Sequence, residues 1–362
     1  MAKRNRLIVS IIAAIVIIGA GVGCYSYASD HSTTKPTTVE AKATTSTADN
    51  NSSSKVDSAT KTDVSASDEA QIEKMEKGYF LSKTLGYINP IYKGYNPNEI
   101  VPGQNIIKSA ESYAVPANEV AQMVAGNYKG TQKEVFLTID DGPSANNTPK
   151  ILQILKNEGV HATFFVIGDY LKSYPYLQKV VREELMDGNA IGDHTFDHVY
   201  SKIYPHNKVD VDAYMKEEEE TKTLLTALLG PNFDTRILRM PGGYMSRVYY
   251  HDPNLEVFNK ALDERHLTAI DWTAETGDAE SRGQLSINKL LDTLKSQIDG
   301  KNQVVVLVHD SGDKVDTVKS LPALIEYFKQ NGYQFKVIKN APASSFNNLP
   351  LKTNTNSNQG QA

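Results

Sequence analysis

The sequence predicts an α/β fold built on parallel strands for residues 130–340. Short apolar segments rich in β-branched residues alternate there with segments whose apolar residues recur every three or four positions. Strands that alternate with helices pair in parallel through right-handed crossovers. Polar and charged residues also cluster directly after the strand segments, as at the carboxyl edge of a parallel sheet. Periodicity alone allows either a closed barrel or an open doubly wound sheet.

Seven strands and six helices are expected in this region. The strands are expected at 134–139, 162–167, 189–192, 236–239, 267–271, 303–308 and 335–338. The helices are expected at 148–158, 175–187, 210–229, 253–264, 284–299 and 317–331. Leu321, Leu324 and Phe328 show the helical spacing. Residues 341–362, rich in Asn, Ser and Gln, are expected to be a disordered tail.

The N-terminal segment, residues 1–28, is predicted to be a basic flank followed by a transmembrane anchor. Residues 7–23 carry no charge, and Ser10 is their only polar side chain. The run is about long enough to span a bilayer, and its positive flank favours a cytoplasmic N-terminus. A cleaved secretory signal is the alternative, because residues 26–28 form a small-x-small site. Either reading places the remaining chain outside the cytoplasm.

Residues 29–69 are predicted to be a disordered linker, and residues 70–130 a membrane-proximal region of unknown role. In residues 32–68, 17 of 37 residues are Ser or Thr and none is aromatic, so this stretch cannot bury a core. Residues 70–130 could pack on the following domain or form a small module. The only cysteine, Cys24, excludes an intramolecular disulfide. A net charge of −5 without a basic stripe argues against nucleic acid as a partner.

Two adjacent carboxylates, Asp140 and Asp141, end the first predicted strand and are followed by Gly142 and Pro143. Neighbouring like charges are costly unless a cation lies opposite, so the pair predicts a partner elsewhere in the chain. From this segment alone, a solvated acidic turn is the simpler alternative.

His194 and His198 are separated by four positions and follow the third predicted strand. In one helical turn this spacing would put both imidazoles on one face. With a carboxylate from a neighbouring strand end they would form a His, His and Asp set, which leaves a position open for water or substrate. That pattern is typical of catalytic rather than structural zinc. Consecutive side chains diverge, so only one of the two aspartates is expected to bind the metal.

The remaining strand-end residues complete a hydrolytic site. The free aspartate could take a proton from a water activated by the metal, and Arg239 is the candidate cation to keep it ionised. A structural ion pair is the alternative for this arginine. Gly242 and Gly243 would let backbone N–H groups approach a developing oxyanion. His309 could act as general acid, oriented by Asp278. Together these groups fit hydrolysis of an amide or ester.

Four segments carry a resemblance to a known family. They read TIDDG at 138–142, HTFDH at 194–198, RMPGG at 239–243 and LVH at 307–309. In order and spacing they resemble the motifs of the NodB-homology polysaccharide deacetylases, carbohydrate esterase family 4, over residues 131–340.

This resemblance implies a distorted (β/α)7 barrel that removes acetyl groups from N-acetylated hexosamines. It implies that Asp140 is the base, that Asp141, His194 and His198 bind one divalent metal, and that His309 is the acid. The metal would usually be zinc, with cobalt or manganese as alternatives.

A further motif of the family departs from the family pattern in this chain. Where the family often has D-x-x-D-W, this chain has Glu275, then Asp278, then Ala279. The single tryptophan, Trp272, lies upstream and is, with Glu275, a candidate for the substrate groove. Gly242 stands where the family often has tyrosine. The altered positions concern the groove more than the chemistry.

The sequence thus predicts a membrane-tethered, metal-dependent deacetylase of N-acetylglucosamine in peptidoglycan, on a single-pass anchor with its catalytic domain facing a Gram-positive cell wall. The same chemistry on poly-N-acetylglucosamine or chitin-like oligomers is the nearest alternative. A non-catalytic glycan-binding wall protein on the same fold is the alternative from another class. The sequence leaves the oligomeric state open.

Overall fold

The part of the chain that the structure describes has an α/β fold with nine strands, whose ladder pairings are all parallel. The computed structural model describes residues 98–128, 130–280 and 285–348. The strands are β1 (Ala114–Pro116), β2 (Glu134–Gly142), β3 (Thr163–Val166), β4 (Ala190–Asp193), β5 (Ile237–Leu238), β6 (Thr268–Ala269), β7 (Ala274–Glu275), β8 (Gln303–His309) and β9 (Gln334–Lys339). The seven predicted strands are all present, and β1 and β7 are additional.

Strand β2 lies at the centre of the sheet. It pairs with β8 over most of its length, while β9 pairs with its first residues and β3 with its last. Seven strands follow one another in the order β6, β5, β4, β3, β2, β8 and β7, and β1 extends the sheet beyond β9. This arrangement fits the barrel-like α/β domain that the sequence predicts.

Ten α-helices are described. They are α1 (Ala117–Val124), α2 (Thr148–Glu158), α3 (Gly168–Ser173), α4 (Leu177–Met186), α5 (Tyr200–Ile203), α6 (Val211–Leu229), α7 (Tyr244–Tyr249), α8 (Leu255–Glu264), α9 (Ile287–Ile298) and α10 (Val315–Gln330). The six predicted helices correspond to α2, α4, α6, α8, α9 and α10. The ends follow local signals: Gly159 ends α2 in a left-handed conformation with φ of 62°, and Asp210 caps α6 by accepting from the Ala213 N–H.

Both faces of β2 are buried, as its continuous apolar run predicts. Leu137 and Ile139 pack into the larger core cluster with residues of the surrounding helices, such as Leu155 and Leu324. Phe136 faces a second cluster, which includes residues from neighbouring strands and from α1. A strand enclosed on both faces positions its carboxyl end rigidly, which suits the residues that follow it.

Residues 98–128 contribute to the same core. Ile106 and Ile107 are almost fully buried in the larger cluster, Val120 of α1 is buried in the second, and β1 pairs with β9. The predicted anchor, the linker and the C-terminal tail beyond 348 lie outside the described residues. Within the described ranges, every helix is too short or too polar to cross a bilayer.

Candidate active site

The four motifs meet at the carboxyl edge of the sheet. The register of β2 with β8 places Asp140 beside His309, and that of β4 with β5 places Asp193 beside Leu238, which directly precede His194 and Arg239. The strand pairings therefore bring together groups that are far apart in the sequence.

Asp141, His194 and His198 form a cluster that fits a divalent metal. The Asp141 Oδ1 atom lies 3.4 Å from the His194 Nε2 atom and 3.5 Å from the His198 Nε2 atom, and the three ligand atoms all lie within 4.8 Å of one another. Tetrahedral zinc with bonds of about 2.1 Å holds its ligand atoms about 3.4 Å apart. The Asp141 Oδ1 atom is also buried and has no hydrogen-bond partner among the described residues. A buried carboxylate oxygen facing two imidazoles in this way is suited to a cation.

The loop that carries the two histidines corrects one sequence expectation. We expected one helical turn to align them, but residues 194–199 are non-helical, and Thr195 and His198 have φ values of 67° and 56°. The loop is stabilised locally, because the Thr195 N–H donates to Asp193 and the His198 N–H donates to the Thr195 hydroxyl. The spacing of four works through a tight turn with left-handed residues rather than through a helix.

Backbone contacts and burial prepare the cluster for metal binding. The His194 Nδ1 atom lies 2.7 Å from the carbonyl oxygen of Arg239, so Nδ1 donates there and leaves Nε2 with a free lone pair. Burial and the neighbouring His194 lower the pKa of His198 to about 4, which keeps it neutral. Burial opposes ionisation of Asp141, but its contacts with His194 and His198 outweigh burial and lower its pKa.

Asp140 is paired with Arg239, which is fully buried. The Arg239 Nη1 atom donates to the Asp140 Oδ1 atom at 2.9 Å and to the Thr138 hydroxyl at 2.7 Å, and Nε donates to the Ile270 carbonyl at 2.9 Å. Its guanidinium stacks on Phe165, 4.4 Å from the ring centroid. The other Asp140 oxygen, Oδ2, faces the metal cluster, 3.7 Å from the His194 Nε2 atom. One carboxylate oxygen is thus held by a fixed cation, and the other is directed to the site.

His309 and Asp278 form a second buried pair. The His309 Nδ1 atom lies 3.0 Å from the Asp278 Oδ1 atom, and the His309 backbone N–H donates to Oδ2 at 2.8 Å. The Thr317 hydroxyl also donates to Asp278. Burial disfavours the imidazolium, but Asp278, with further support from Asp141 and Asp140, outweighs burial and raises the pKa of His309 to about 9. His309 is therefore a protonated group at neutral pH.

The glycine pair after Arg239 differs partly from the expectation. The Gly243 N–H donates to the Met240 carbonyl at 2.7 Å, so it is not available to an oxyanion. The Gly242 N–H makes no hydrogen bond with the residues that the structure describes, and it remains the candidate donor. Both glycines have positive φ values, 75° and 81°, which explains the need for glycine in this turn.

Trp272 reaches the site, and Glu275 is connected to it. A Cβ atom on Gly243 would lie 2.9 Å from the Trp272 ring, and the Arg239 guanidinium lies 5.7 Å from the ring centroid. Burial raises the pKa of Glu275, and the neighbouring Trp272 side chain partly opposes this shift. Trp272 therefore lies against the Gly-Gly turn, and Glu275 lies near Trp272.

Sequence reasoning gave no role to three residues at this edge, although it noted that Asp310 follows a strand together with His309. Asp310 is fully buried, accepts a hydrogen bond from Thr148, and lies so close to Gly142 that a Cβ there would be 2.4 Å from its carboxylate. Burial raises the pKa of Asp310 to about 7. Asp271 accepts from the first N–H groups of α7, and Tyr200 lies against His198. Only Asp310, directly after His309, had a position that could have drawn attention.

Comparisons with known proteins agree with this geometry. A family model described as polysaccharide deacetylase matches residues 127–254. A peptidoglycan-N-acetylglucosamine deacetylase of Bacillus cereus is 30% identical over 210 residues, which cover 57% of this chain and 87% of that protein. One of Listeria monocytogenes is 28% identical over 58% of this chain and 38% of its own length. A solved CE4 esterase of Streptococcus mutans is 36% identical, with a TM-score of 0.61, over 67% of this chain and 100% of that one. The chain is therefore an enzyme of the polysaccharide deacetylase family, as its four motifs and their convergence at one sheet edge indicate.

Proposed function

We propose that this protein hydrolyses the N-acetyl group of N-acetylglucosamine residues in a glycan polymer, in a metal-dependent reaction. The observation that carries the proposal is the buried Asp141 oxygen between two imidazoles, with the Asp140–Arg239 pair on the same edge and the His309–Asp278 pair beside it. A metal site, a base and an acid are the parts that hydrolysis of an unactivated amide requires.

Asp141, His194 and His198 would hold the metal, most suitably zinc. When bound, such a metal lowers the pKa of water and polarises a carbonyl group. Asp140 takes a proton from the attacking water through one carboxylate oxygen while Arg239 holds the other.

The Gly242 N–H, which has no hydrogen-bond partner among the described residues, would donate to the acetyl oxygen as negative charge develops there. The water oxygen bonds to the acetyl carbon, the carbon–nitrogen bond breaks, and His309 gives its proton to the leaving nitrogen. Acetate and a free amine are the products, and Asp278 keeps His309 oriented and charged.

We further propose peptidoglycan as the polymer, since several relatives carry that substrate in their names. Poly-N-acetylglucosamine and chitin-like oligomers would need the same chemistry but have no such support. Mass spectrometry of wall muropeptides from cells with and without the protein tests the choice. We expect deacetylated N-acetylglucosamine only when the protein is present, and unchanged muropeptides would reject peptidoglycan.

Two variants separate the proposed base from the proposed metal ligands. We expect Asp140→Asn to keep its zinc and to lose about 10²–10⁴-fold in kcat, because a positioned base contributes that much. We expect His194→Ala to lose zinc as well as activity. Acetate release from N-acetylglucosamine oligomers and metal analysis of the purified proteins provide the two measurements. Full activity of Asp140→Asn, or activity that survives chelation, contradicts the mechanism. A non-catalytic binding protein would lack turnover, whereas this chain keeps Asp140 and His309, the residues proposed as base and acid.

A further inference from the structure

Exposed tyrosines are concentrated at the carboxyl edge of the sheet. Six of the described tyrosines are exposed, and five of them follow strands β3, β4 and β5: Tyr174, Tyr176, Tyr200, Tyr249 and Tyr250. The sixth, Tyr128, precedes β2 and therefore lies at the opposite edge. Apolar side chains gathered on one exposed region mark a binding surface.

We propose that these five residues, the tyrosine band, bind a chain of N-acetylated hexosamines on either side of the sugar being deacetylated, with Tyr200 contacting that sugar. The inference rests on the proposed function and deepens it, because it assigns the position of the polymer to the β3, β4 and β5 side of the site.

Tyr200 is the member nearest the chemistry. Its ring stands edge-on to that of His198, with centroids 5.7 Å apart, and 46% of the residue is exposed. Its hydroxyl lies over the Gly-Gly turn, so close that a Cβ atom on Gly242 would be 2.4 Å from the oxygen. The Tyr200 ring therefore extends from the histidine loop, residues 194–199, to the candidate oxyanion donor, the Gly242 N–H. A sugar whose acetyl group lies between these two elements must contact this ring.

One end of the tyrosine band consists of Tyr174 and Tyr176, which come after β3 in the sequence. Helix α3 is joined to the histidine loop by two backbone hydrogen bonds, from Gly168 to Thr195 and from Asp169 to Phe196. From Tyr170 the rings continue outward, because Tyr174 lies 6.4 Å from Tyr170. Tyr176, with 61% exposure, lies 6.0 Å beyond Tyr174. These tyrosine rings therefore extend from the edge of the histidine loop into solvent.

The other end of the band follows β5. Tyr200 contacts Tyr204, with centroids 5.4 Å apart, and the Arg247 guanidinium lies 4.5 Å from the Tyr204 ring and 5.2 Å from the Tyr250 ring. Tyr249 lies 5.3 Å from Tyr250. A series of tyrosine rings, bridged between Tyr204 and Tyr250 by the Arg247 guanidinium, therefore leads away from Tyr200 on this side.

The chemistry of the band suits a sugar chain. Each tyrosine offers a flat apolar body and a polar tip, which matches the apolar faces and hydroxyl rim of a pyranose ring. A tyrosine hydroxyl can both donate and accept a hydrogen bond, as recognition of sugar hydroxyl groups requires. The side of the site near β7 and β8 is instead charged, with Glu280, Asp313 and Lys314. A polymer that is read along its apolar faces is expected on the tyrosine side.

Binding to an inactive enzyme tests the band independently of turnover. Zinc-loaded Asp140→Asn protein would be titrated calorimetrically with N-acetylglucosamine tetramer and dimer. We expect Tyr200→Ala in this background to weaken both ligands about three- to tenfold, as the loss of an aromatic contact predicts. Tyr200→Phe, which keeps the ring, should stay within about twofold if ring stacking dominates. Tyr176→Ala should weaken the tetramer and leave the dimer unchanged.

Tyr128→Ala is the matched control, since it removes an exposed tyrosine from the opposite edge, and it should bind as the parent does. Equal binding by Tyr200→Ala and the parent, or equal losses in Tyr200→Ala and Tyr128→Ala, would overturn the proposal. Loss of zinc from Tyr200→Ala would also overturn it, because Tyr200 would then act only by supporting His198. Tyrosine-dependent binding without acetate release by the wild type would instead reject the proposed function and leave the band standing.

Discussion

At the scale of single residues, His309 shows how position sets charge. The imidazole is buried, which alone would favour its neutral form, yet Asp278 accepts from both its ring and its backbone N–H. The pKa of about 9 follows from this competition. A general acid must carry its proton, so activity that depends on His309 is present below this pKa and is lost as the pH rises through it.

We predict that Asp278→Asn moves the alkaline limb of the kcat/KM profile to lower pH. Without the carboxylate, burial dominates and the pKa of His309 falls. A charge-assisted hydrogen bond contributes about 1.5–3 kcal/mol, and about 1.4 kcal/mol corresponds to one pH unit, so the limb should move by about one to two units.

The pH profile of acetate release provides this measurement. Asp313→Asn is the control, because it removes a nearby carboxylate that is largely exposed and pairs with Lys314 rather than His309. An unmoved alkaline limb in Asp278→Asn would mean that another group is the acid.

At the scale of elements, the longer helices and strands were the ones that the sequence predicted most clearly. The long apolar runs of β2 and β8 and the amphipathic helices α2 and α6 were evident, because many residues repeat one period. Helices α3, α5 and α7 have six or fewer residues, which is too short for a period to be recognised. Among the strands of two residues, β5 and β6 lie within the predicted segments 236–239 and 267–271, whereas β7 was not predicted.

Most of the site was also predictable, because its groups directly follow strands or lie within recognisable motifs. The left-handed turn at His198, the internal bond of Gly243 and the position of Tyr200 were not. The two turns are local, since the His198 N–H donates to Thr195 and the Gly243 N–H donates to Met240, but turns this short leave no periodic pattern in the sequence. The position of Tyr200 depends on a contact with Gly242, which is distant in the sequence.

Asp271 is an example of such a contact between elements. It follows β6 and accepts from the Tyr244 and Met245 N–H groups at 2.8 and 2.7 Å, so it caps α7 from another part of the chain. We predict that Asp271→Ala lowers the free energy of unfolding by about 1.5–3 kcal/mol, because two hydrogen bonds to a buried carboxylate are lost. Activity should fall too, since α7 begins directly after the Gly-Gly turn. Chemical denaturation and acetate release measure the two effects.

Ser286→Ala is the control for capping as such. Its hydroxyl caps α9 by accepting from the Lys289 N–H at 3.2 Å, at an exposed helix end away from the motifs. Its loss should cost about 1 kcal/mol and leave kcat/KM unchanged. An Asp271→Ala protein as active as Ser286→Ala would show that the cap does not support the turn.

At the scale of the whole molecule, the core extends beyond the region that carries the motifs. The sequence predicted the domain from residue 131 and left the role of residues 70–130 open, and the structure shows that Ile106, Ile107 and Val120 are buried. We predict that a fragment of residues 98–348 unfolds cooperatively, whereas one of residues 131–348 does not fold. Each buried aliphatic side chain contributes about 1.5–3 kcal/mol, and a domain is stable by only about 5–15 kcal/mol in total.

Circular dichroism during thermal unfolding and limited proteolysis compare the two fragments. A stable fragment of residues 131–348 with a sharp unfolding transition would show that residues 98–128 are not needed for the domain to fold.

Residue 239 makes two contacts in the site, one through its side chain and one through its backbone, and a substitution affects only the first. Its side chain holds Asp140, but its carbonyl oxygen holds the ring of His194. A substitution of Arg239 alters the contact with Asp140 but keeps the contact with His194, because every amino acid has a backbone carbonyl group. A single substitution at this position could therefore abolish turnover while the metal-binding turn persisted. A protein that had lost its activity in this way would still be able to evolve as a glycan-binding protein.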